Sequence, residues 1–324
     1  MKYAQEYTYS KLSAKSVSQL VGSNYTLRGL IQSKFYVLGL HDNYLVESES
    51  GKYILRIYRN DWRSQEEALF ELKLLSYLQD QNAPVAGPVR TKSSELMFRI
   101  ASPEGDRYAA LFNYAEGHAP SDAISMSECE SLGRAVALVH KKTESFESAY
   151  KRPVLDLPYL LDESISTIEP FIDFQGLSVL SELQIILNSL LPGLPKEPGF
   201  YGICIGDVNP RNFHVRGDNH ITIFDFDQCG YGFRAFEIGK FSSSLHNNKL
   251  KLDLVNSFME GYQQVRRLTA EELATIPYFE IVAIIWVMAI HANNADRIGY
   301  KLLERPFWDR QIAILKELKT QQSV

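Results

Sequence analysis

Residues 202–232, GICIGDVNPRNFHVRGDNHITIFDFDQCGYG, constrain this chain more than any other stretch. Asp207 precedes Asn212 by five positions, and Asp225 lies near the end of a short apolar run, 221–226. That run is rich in β-branched and aromatic residues, which is the pattern of a strand. Arg216-Gly217-Asp218-Asn219, just before it, has turn chemistry. The stretch is therefore expected to run loop, strand, hairpin turn, strand, with carboxylates at both open ends. On a strand, Asp227 would point the same way as Asp225, two residues along.

A single Asp or Asn in a loop commonly does no more than make local turn hydrogen bonds. The joint pattern points to phosphoryl transfer. A hydroxyl acceptor needs a carboxylate that orients it and takes its proton, and a triphosphate needs Mg²⁺ held by oxygen ligands. Asp207 is the candidate for the first task, with Asn212 and Asp225 for the second. Protein kinases use the same Asp-to-Asn spacing and a later Asp-Phe-Gly for the metal; the later element here is Asp225-Phe226-Asp227.

Ile205-Gly206-Asp207, Asn212, Asp225-Phe226 and Gly230-Tyr231-Gly232 together resemble the aminoglycoside phosphotransferase and choline kinase family. Its members carry His-Gly-Asp, four spacer residues, Asn, and later Asp-Phe or Asp-Trp followed by Gly-Tyr-Gly. Ile205 stands where the family has His, a residue usually regarded as a support for the loop. The resemblance implies a bilobal, protein-kinase-like α+β fold. It would have a nucleotide-binding lobe over residues 1–115 and a mostly helical catalytic and acceptor-binding lobe over 116–324. It implies ATP and Mg²⁺, and as acceptor a hydroxyl of a small metabolite: an amino alcohol, a homoserine-like amino acid or an aminoglycoside. A serine/threonine protein kinase is the second reading, set back by the absence of an Ala-Pro-Glu-type segment after Asp225. A nucleotide-binding pseudoenzyme is the third, motivated by Ile205 and a glycine-poor phosphate loop.

The remaining elements fit that frame. A helix is expected over 13–20, closed by Gly22. Strands are expected over 34–40, 44–48 and 52–59, with His41-Asp42-Asn43 as the first turn. The family commonly has an Asn near Asn43 in its phosphate loop. Arg56, a cation between apolar strand neighbours, occupies the place where kinase folds put a phosphate-binding Lys paired to a Glu on the next helix. That helix spans 64–79, opened by the capping-box spacing Ser64 to Glu67. Glu71, beside its apolar face, is the natural partner of Arg56, with Glu67 competing. Strands over 96–101 and 107–114 complete a five-stranded antiparallel sheet. Asn113 and Ala115 follow, where the resemblance puts backbone groups on the adenine edge. Helices are then expected after Ser127, ending at His140, over 158–191 with a break near Pro170 and a stop at Pro192-Gly193, over 234–245 and 252–265, after the capping box Thr269 to Glu272, and over 307–319. His291 and Asn294 are polar residues late in an apolar helix, placed either on the acceptor pocket or where the helix meets solvent.

Composition limits the partners. The chain has 324 residues and a net charge of −5, without the basic stripe of a nucleic-acid binder. Its N-terminus lacks the apolar core of a signal peptide. The apolar run 281–290 is short of the roughly 20 residues a bilayer needs and reads as a buried helix, so no membrane partner is expected. Three sparse cysteines, Cys129, Cys204 and Cys229, suggest reduced thiols and a cytoplasmic protein. Oligomeric state is not readable from the sequence.

Overall fold

A computed structural model describes residues 6–120, 124–191, 193–217 and 219–322. Asp218 of the expected hairpin turn and Pro192 of the expected helix stop lie outside the described residues. The chain divides into two compact units, one of residues 1–117, 146–151 and 222–224, the other of the remainder.

The first unit is an antiparallel sheet with a helix packed on its core. Strands β1 (Gln32–Leu38), β2 (Asp42–Ser48) and β3 (Gly51–Ile57) are followed by helix α2 (Gln65–Asp80), then β4 (Pro88–Val89), β5 (Phe98–Ser102) and β6 (Gly105–Asn113). The order is β1-β2-β3-β6-β4, with β5 also paired to β6. The sheet thus has six strands rather than the expected five. The extra strand is the Pro-containing β4, paired to Phe112 and Leu111. An edge position tolerates a residue without an N–H, so proline signals that read as loop are compatible with it. Helix α1 (Ala14–Asn24), capped by Ser13, lays Val17 and Val21 on one face of the sheet, against Tyr44, Val46, Leu55, Ile57, Ala109 and Leu111. It continues past Gly22, the expected stop, to Asn24.

The first hairpin turn also falls earlier than expected. Asp42 and Asn43 are already in β2, opposite Leu38 and Val37. The Asp42 carboxylate is buried and accepts from Arg107 at 2.7 Å and from Tyr9 at 2.6 Å. With interior partners available, Asp42 is held in the sheet and does not need a turn.

The second unit is mostly helical. It holds α3 (Met126–Lys142), a π turn over Pro158–Asp162, α4 (Glu163–Ile168), a 3₁₀ turn over Glu169–Phe171 and α5 (Phe174–Leu190). The break at Pro170 is where the sequence places it. In chain order, strand β7 (Tyr201–Cys204), the hairpin of β8 (Phe213–Arg216) and β9 (His220–Ile223, of which 222–223 count with the first unit), and β10 (Gly230–Phe233) follow. The chain ends with α6 (Arg234–Ser244), α7 (Lys251–Gln263), α8 (Ala270–Asn293), α9 (Ala295–Ile298) and α10 (Arg305–Gln321). The N-cap of α3 is Ser125, two residues before the expected start, in a capping box with Glu128. The capping box Thr269–Glu272 opens α8 as expected. By length and composition this 24-residue helix could cross a membrane, longer than its apolar run suggests; 67% of its most apolar window is buried inside the protein. It packs on α6 and α4.

Helices α3 and α7 cross at a glycine on each. A Cβ on Gly133 would stand 1.9 Å from the Phe258 carbonyl oxygen, and one on Gly261 would stand 1.8 Å from that of Glu130. The clash is with backbone, so it cannot be relieved by a rotamer change. Gly133→Ala and Gly261→Ala are each expected to destabilise the protein by at least about 2 kcal/mol, despite the higher helix propensity of Ala. Urea unfolding checks this, and an unchanged midpoint in either variant overturns the close-contact account.

Candidate active site

The loop carrying Asp207 leaves β7, which pairs antiparallel with β10. Gly206 has φ +86°, and a Cβ there would meet the Gln228 carbonyl oxygen at 2.1 Å, so only glycine fits. The Ile205 and Gly206 N–H groups donate to the two carboxylate oxygens of Glu237, at 2.7 and 2.8 Å. Glu237 is fully buried in the first turn of α6, where the helix dipole favours a negative charge. Ile205 is itself fully buried. The loop is therefore tied down through its backbone, and the side chain at 205 acts as apolar packing.

Asp207 is the centre of a smaller cluster. Its Oδ1 accepts from Lys240 Nζ at 2.7 Å, and its Oδ2 accepts from Asn212 Nδ2 at 2.9 Å. Asn212 Nδ2 also reaches the Asp207 main-chain oxygen at 2.9 Å, and Asn209 Nδ2 reaches it at 3.1 Å. Burial alone would raise the Asp207 carboxyl, but the Lys240 ammonium and hydrogen bonds from Lys240, Asn209 and Asn212 outweigh it and hold the carboxyl below its usual range. The structure thus brings Asp207 and Asn212 together as their spacing suggests. Sequence reasoning missed Lys240 and Glu237. Their signal is present: two charges three residues apart in an α6 whose neighbours Phe236, Ile238 and Phe241 are all buried.

Asp225 departs from the expected strand. Strand β9 ends at Ile223, and Asp225 sits in the left-handed region at φ +65°. Such a conformation costs on the order of 1 kcal/mol or more for a non-glycine residue and is tolerated better by Asp and Asn than by most. It ends the two-residue alternation, so Asp227 does not follow Asp225. Asp227 is buried, with Oδ2 accepting from Gln228 at 3.0 Å and Oδ1 3.9 Å from Arg152, which also donates to the Asp227 main-chain oxygen. These contacts make Asp227 a structural anchor in place of the extra ligand or acceptor contact that strand geometry suggested.

Mg²⁺ takes oxygen ligands and retains several from water and phosphate. Asn212 fits that role: its Nδ2 is spent on Asp207, leaving Oδ1 without a donor among the described residues. Asp225 supplies a carboxylate on a backbone bent away from the strand. No cluster of three His, Cys, Asp or Glu occurs among the described residues, so a metal here would draw most of its ligands from nucleotide and water.

In the first unit, Arg56 and Glu71 form the pair anticipated, NH1 to Oε1 at 2.7 Å, with Tyr58 Oη donating to Oε2 at 3.1 Å. Both residues are buried, and the guanidinium lies 5.1 Å from the Phe112 ring centre. Strand β3 lies between β2 and β6, so Arg56 is on an interior strand of the sheet. Glu67 closes the α2 capping box with Ser64 and so does not compete. Asn43 is in β2, directly opposite Arg56, and not in a loop. The Asn113 N–H donates to the Gly87 carbonyl at 2.9 Å and its side chain to Gln79 and Gly87, leaving its carbonyl for any adenine contact. Ala115 is buried two residues on.

Within the second unit, Asp207, Asn212 and Lys240 line a cleft of about 940 Å³. His291 lines it too, its Nδ1 bonded to the Val287 carbonyl at 2.8 Å. Asn294 does not; it is buried and caps its own helix by donating to the Ile290 carbonyl.

Behind Glu237 stands His140, fully buried, its Nδ1 2.7 Å from Tyr262 Oη and its Nε2 3.5 Å from Glu237. Burial, aided by the Arg234 charge, pushes the imidazole down to about 4 against the pull of Glu237. The folded protein therefore binds fewer protons than the unfolded chain between about pH 4 and 6.5. This contribution is complete above pH 6.5 and is lost as pH falls toward 4, amounting to roughly 3 kcal/mol at most. Denaturant unfolding of the protein and of His140→Gln between pH 7 and 5 should show stability curves that converge on acidification. A constant gap would mean that the imidazole is not held neutral.

The chain matches the phosphotransferase enzyme family over residues 38–272. It is 34% identical to an uncharacterized protein of Synechocystis sp. over 96% of this chain and 86% of that one. It is 25% identical to a homoserine kinase of Polaromonas naphthalenivorans over 72% of this chain and 73% of the kinase. Among solved structures it is similar to a microcompartment-associated aminopropanol kinase (TM-score 0.78, 20% identity, 94% of this chain and 95% of that one). It is also similar to an amicoumacin kinase bound to AMP-PNP, Ca²⁺ and amicoumacin (TM-score 0.79, 21% identity, 96% of this chain and 94% of that one). The antiparallel sheet and helical part agree with these structures. The chain belongs to the phosphotransferase enzyme family and has the fold of its small-molecule kinases.

Proposed function

We propose that this protein moves the γ-phosphate of Mg·ATP to a hydroxyl group of a small metabolite. The observation that carries the reading is the Asp207–Asn212 contact on a loop fixed by Glu237. Asp207 orients the acceptor hydroxyl and receives its proton. Because the carboxyl is held below its usual range, it is ionised at neutral pH and is a weak base. Its main contribution is then alignment, with the proton moving late. Asn212 Oδ1 and Asp225 hold Mg²⁺, which when bound neutralises charge on the triphosphate oxygens. Arg56, steadied by Glu71, grips phosphate with a guanidinium that stays charged at any working pH.

Ile205 had suggested a pseudoenzyme with a loosened loop. Two charge-assisted hydrogen bonds to Glu237 hold that loop without a histidine, which answers the part of that reading that rested on Ile205.

The decisive assay is labelled γ-phosphate transfer from Mg·ATP to homoserine, choline, ethanolamine, aminoglycosides and a generic protein. Asp207→Asn is expected to lower turnover by about 10²- to 10⁴-fold while leaving nucleotide affinity within about twofold. Asp225→Asn is expected to weaken the Mg²⁺-dependent part of ATP binding measured calorimetrically. Turnover that survives Asp207→Asn, or transfer to protein alone, would sink the reading.

A further inference from the structure

Helix α6 meets the loop of Asp207 with two charges. Glu237 and Lys240 are three residues apart and so lie on one face of the helix. Glu237 holds the Ile205 and Gly206 N–H groups, and Lys240 holds the side chain of the next residue, Asp207. The Lys240 side chain is 5% exposed, whereas that of Asp207 is 33% exposed. Burying an ammonium is costly, and a buried ion pair adds little net stability over an apolar residue of similar size. Asp207, a third open to water, does not need a buried cation to be tolerated. The pair is better explained by what it does to the carboxylate, and what it fixes is orientation. The terminal torsion of an Asp side chain has a broad, roughly two-fold well, so one hydrogen bond leaves the carboxylate able to swing. Here Asn212 holds Oδ2 at 2.9 Å and Lys240 holds Oδ1 at 2.7 Å. Anchors on both oxygens, one from the loop and one from α6, set the carboxylate plane. Each oxygen keeps a further lone pair for an acceptor hydroxyl. Asn212 is also proposed to ligate Mg²⁺ through its Oδ1, so its amide serves two groups, and the second anchor on Asp207 comes from a different element.

We propose that Lys240 is a positioning residue for phosphoryl transfer: it fixes the plane of the Asp207 carboxylate, and with it the direction in which the acceptor hydroxyl is held. This rests on the kinase reading above and deepens it. In this role Lys240 acts through Asp207 and need not touch either substrate. In the transfer, the acceptor oxygen bonds to the γ-phosphorus while the bond from that phosphorus to the β,γ-bridging oxygen breaks. The hydroxyl proton passes to Asp207, and ADP leaves with the bridging oxygen and its electron pair. The Lys240 ammonium also makes Asp207 a weaker base, so its two effects on the rate have opposite signs. Through basicity alone, removing Lys240 would raise kcat or leave it unchanged; through position, removing it lowers kcat.

Labelled γ-phosphate transfer from Mg·ATP to water and to homoserine tests this in the original protein, Lys240→Met, Lys240→Arg, Asp207→Asn and the double variant Lys240→Met/Asp207→Asn. Lys240→Met is expected to lower kcat by about 10- to 100-fold with KM values kept within about threefold, and Lys240→Arg to lose less than about tenfold. In the Asp207→Asn background, Lys240→Met should cost less than about threefold, because the carboxylate it positions is gone. A methionine variant that does not fold moves the same cycle to Lys240→Gln, with an expected loss of about three- to tenfold that vanishes in Asp207→Asn. A crystal structure of the substituted protein without ligands gives a readout independent of activity: the Asp207 carboxylate is expected to leave the plane set by its two anchors. An unchanged or raised kcat, an unmoved carboxylate, or an equal loss with and without the Asp207 carboxylate overturns the positioning role. A protein that does not bind Mg·ATP by calorimetry, or that transfers label neither to water nor to any acceptor of the panel above, overturns the kinase reading itself, so the two failures are distinguishable.

Discussion

The loop that carries Asp207 depends on one buried carboxylate. Glu237 has no exposure to water, and its two oxygens are met by two successive backbone N–H groups of the loop it holds. A charge so placed is costly unless it is fully bonded. Here the bonding also fixes geometry, because two donors from adjacent residues determine both the position and the direction of the chain. Gly206 is the complement: its positive φ lets the backbone turn against Gln228, where a side chain would collide. His140, Tyr262 and the first turn of α6 complete the surroundings of Glu237. An apolar residue at 205 is compatible with this design because the loop is held through its main chain.

The proposed chemistry draws on two ion pairs, one in each unit. Arg56–Glu71 is buried inside a sheet-and-helix core, and its geometry is set by regular structure: a central strand facing the helix next to it. Lys240–Asp207 stands at a loop, and Asp207 keeps about a third of its side-chain exposure, 33%. The difference matters for what each can do. A pair sealed in a core gives a fixed cation with little freedom to exchange partners. A pair with an open carboxylate can admit a ligand atom without losing its own contact, since Asp207 has lone pairs beyond those used by Lys240 and Asn212.

The sequence was most legible where local chemistry and tertiary packing agree. The capping boxes at Ser64 and Thr269 locate α2 and α8, and the apolar flanks of Arg56 place it on an interior strand. Asp207 and Asn212 come together because five residues of one loop are enough to close the contact without help from elsewhere. Reading failed where distant residues decide. Asp42 belongs to a strand because Arg107, 65 positions later, bonds its carboxylate. The two-residue β4 forms only because β6 offers it an edge.

The least legible residues are those whose partner lies on another element. Glu237 and Lys240 are ordinary helix formers in composition, and only the burial of Phe236, Ile238 and Phe241 around them shows that their charges must be answered inside the protein. The answer comes from a loop about 30 residues earlier, at Ile205, Gly206 and Asp207. Asp225 is the converse case. Its apolar flanks argue for a strand, but the backbone leaves β9 after Ile223 and turns left-handed at the carboxylate itself. A strand would have set Asp225 and Asp227 side by side with the same task. The left-handed turn separates them: Asp227 is buried against Arg152, and the metal role is proposed for Asp225 alone. Local strain at one residue thus divides two carboxylates that the sequence presents as equivalent.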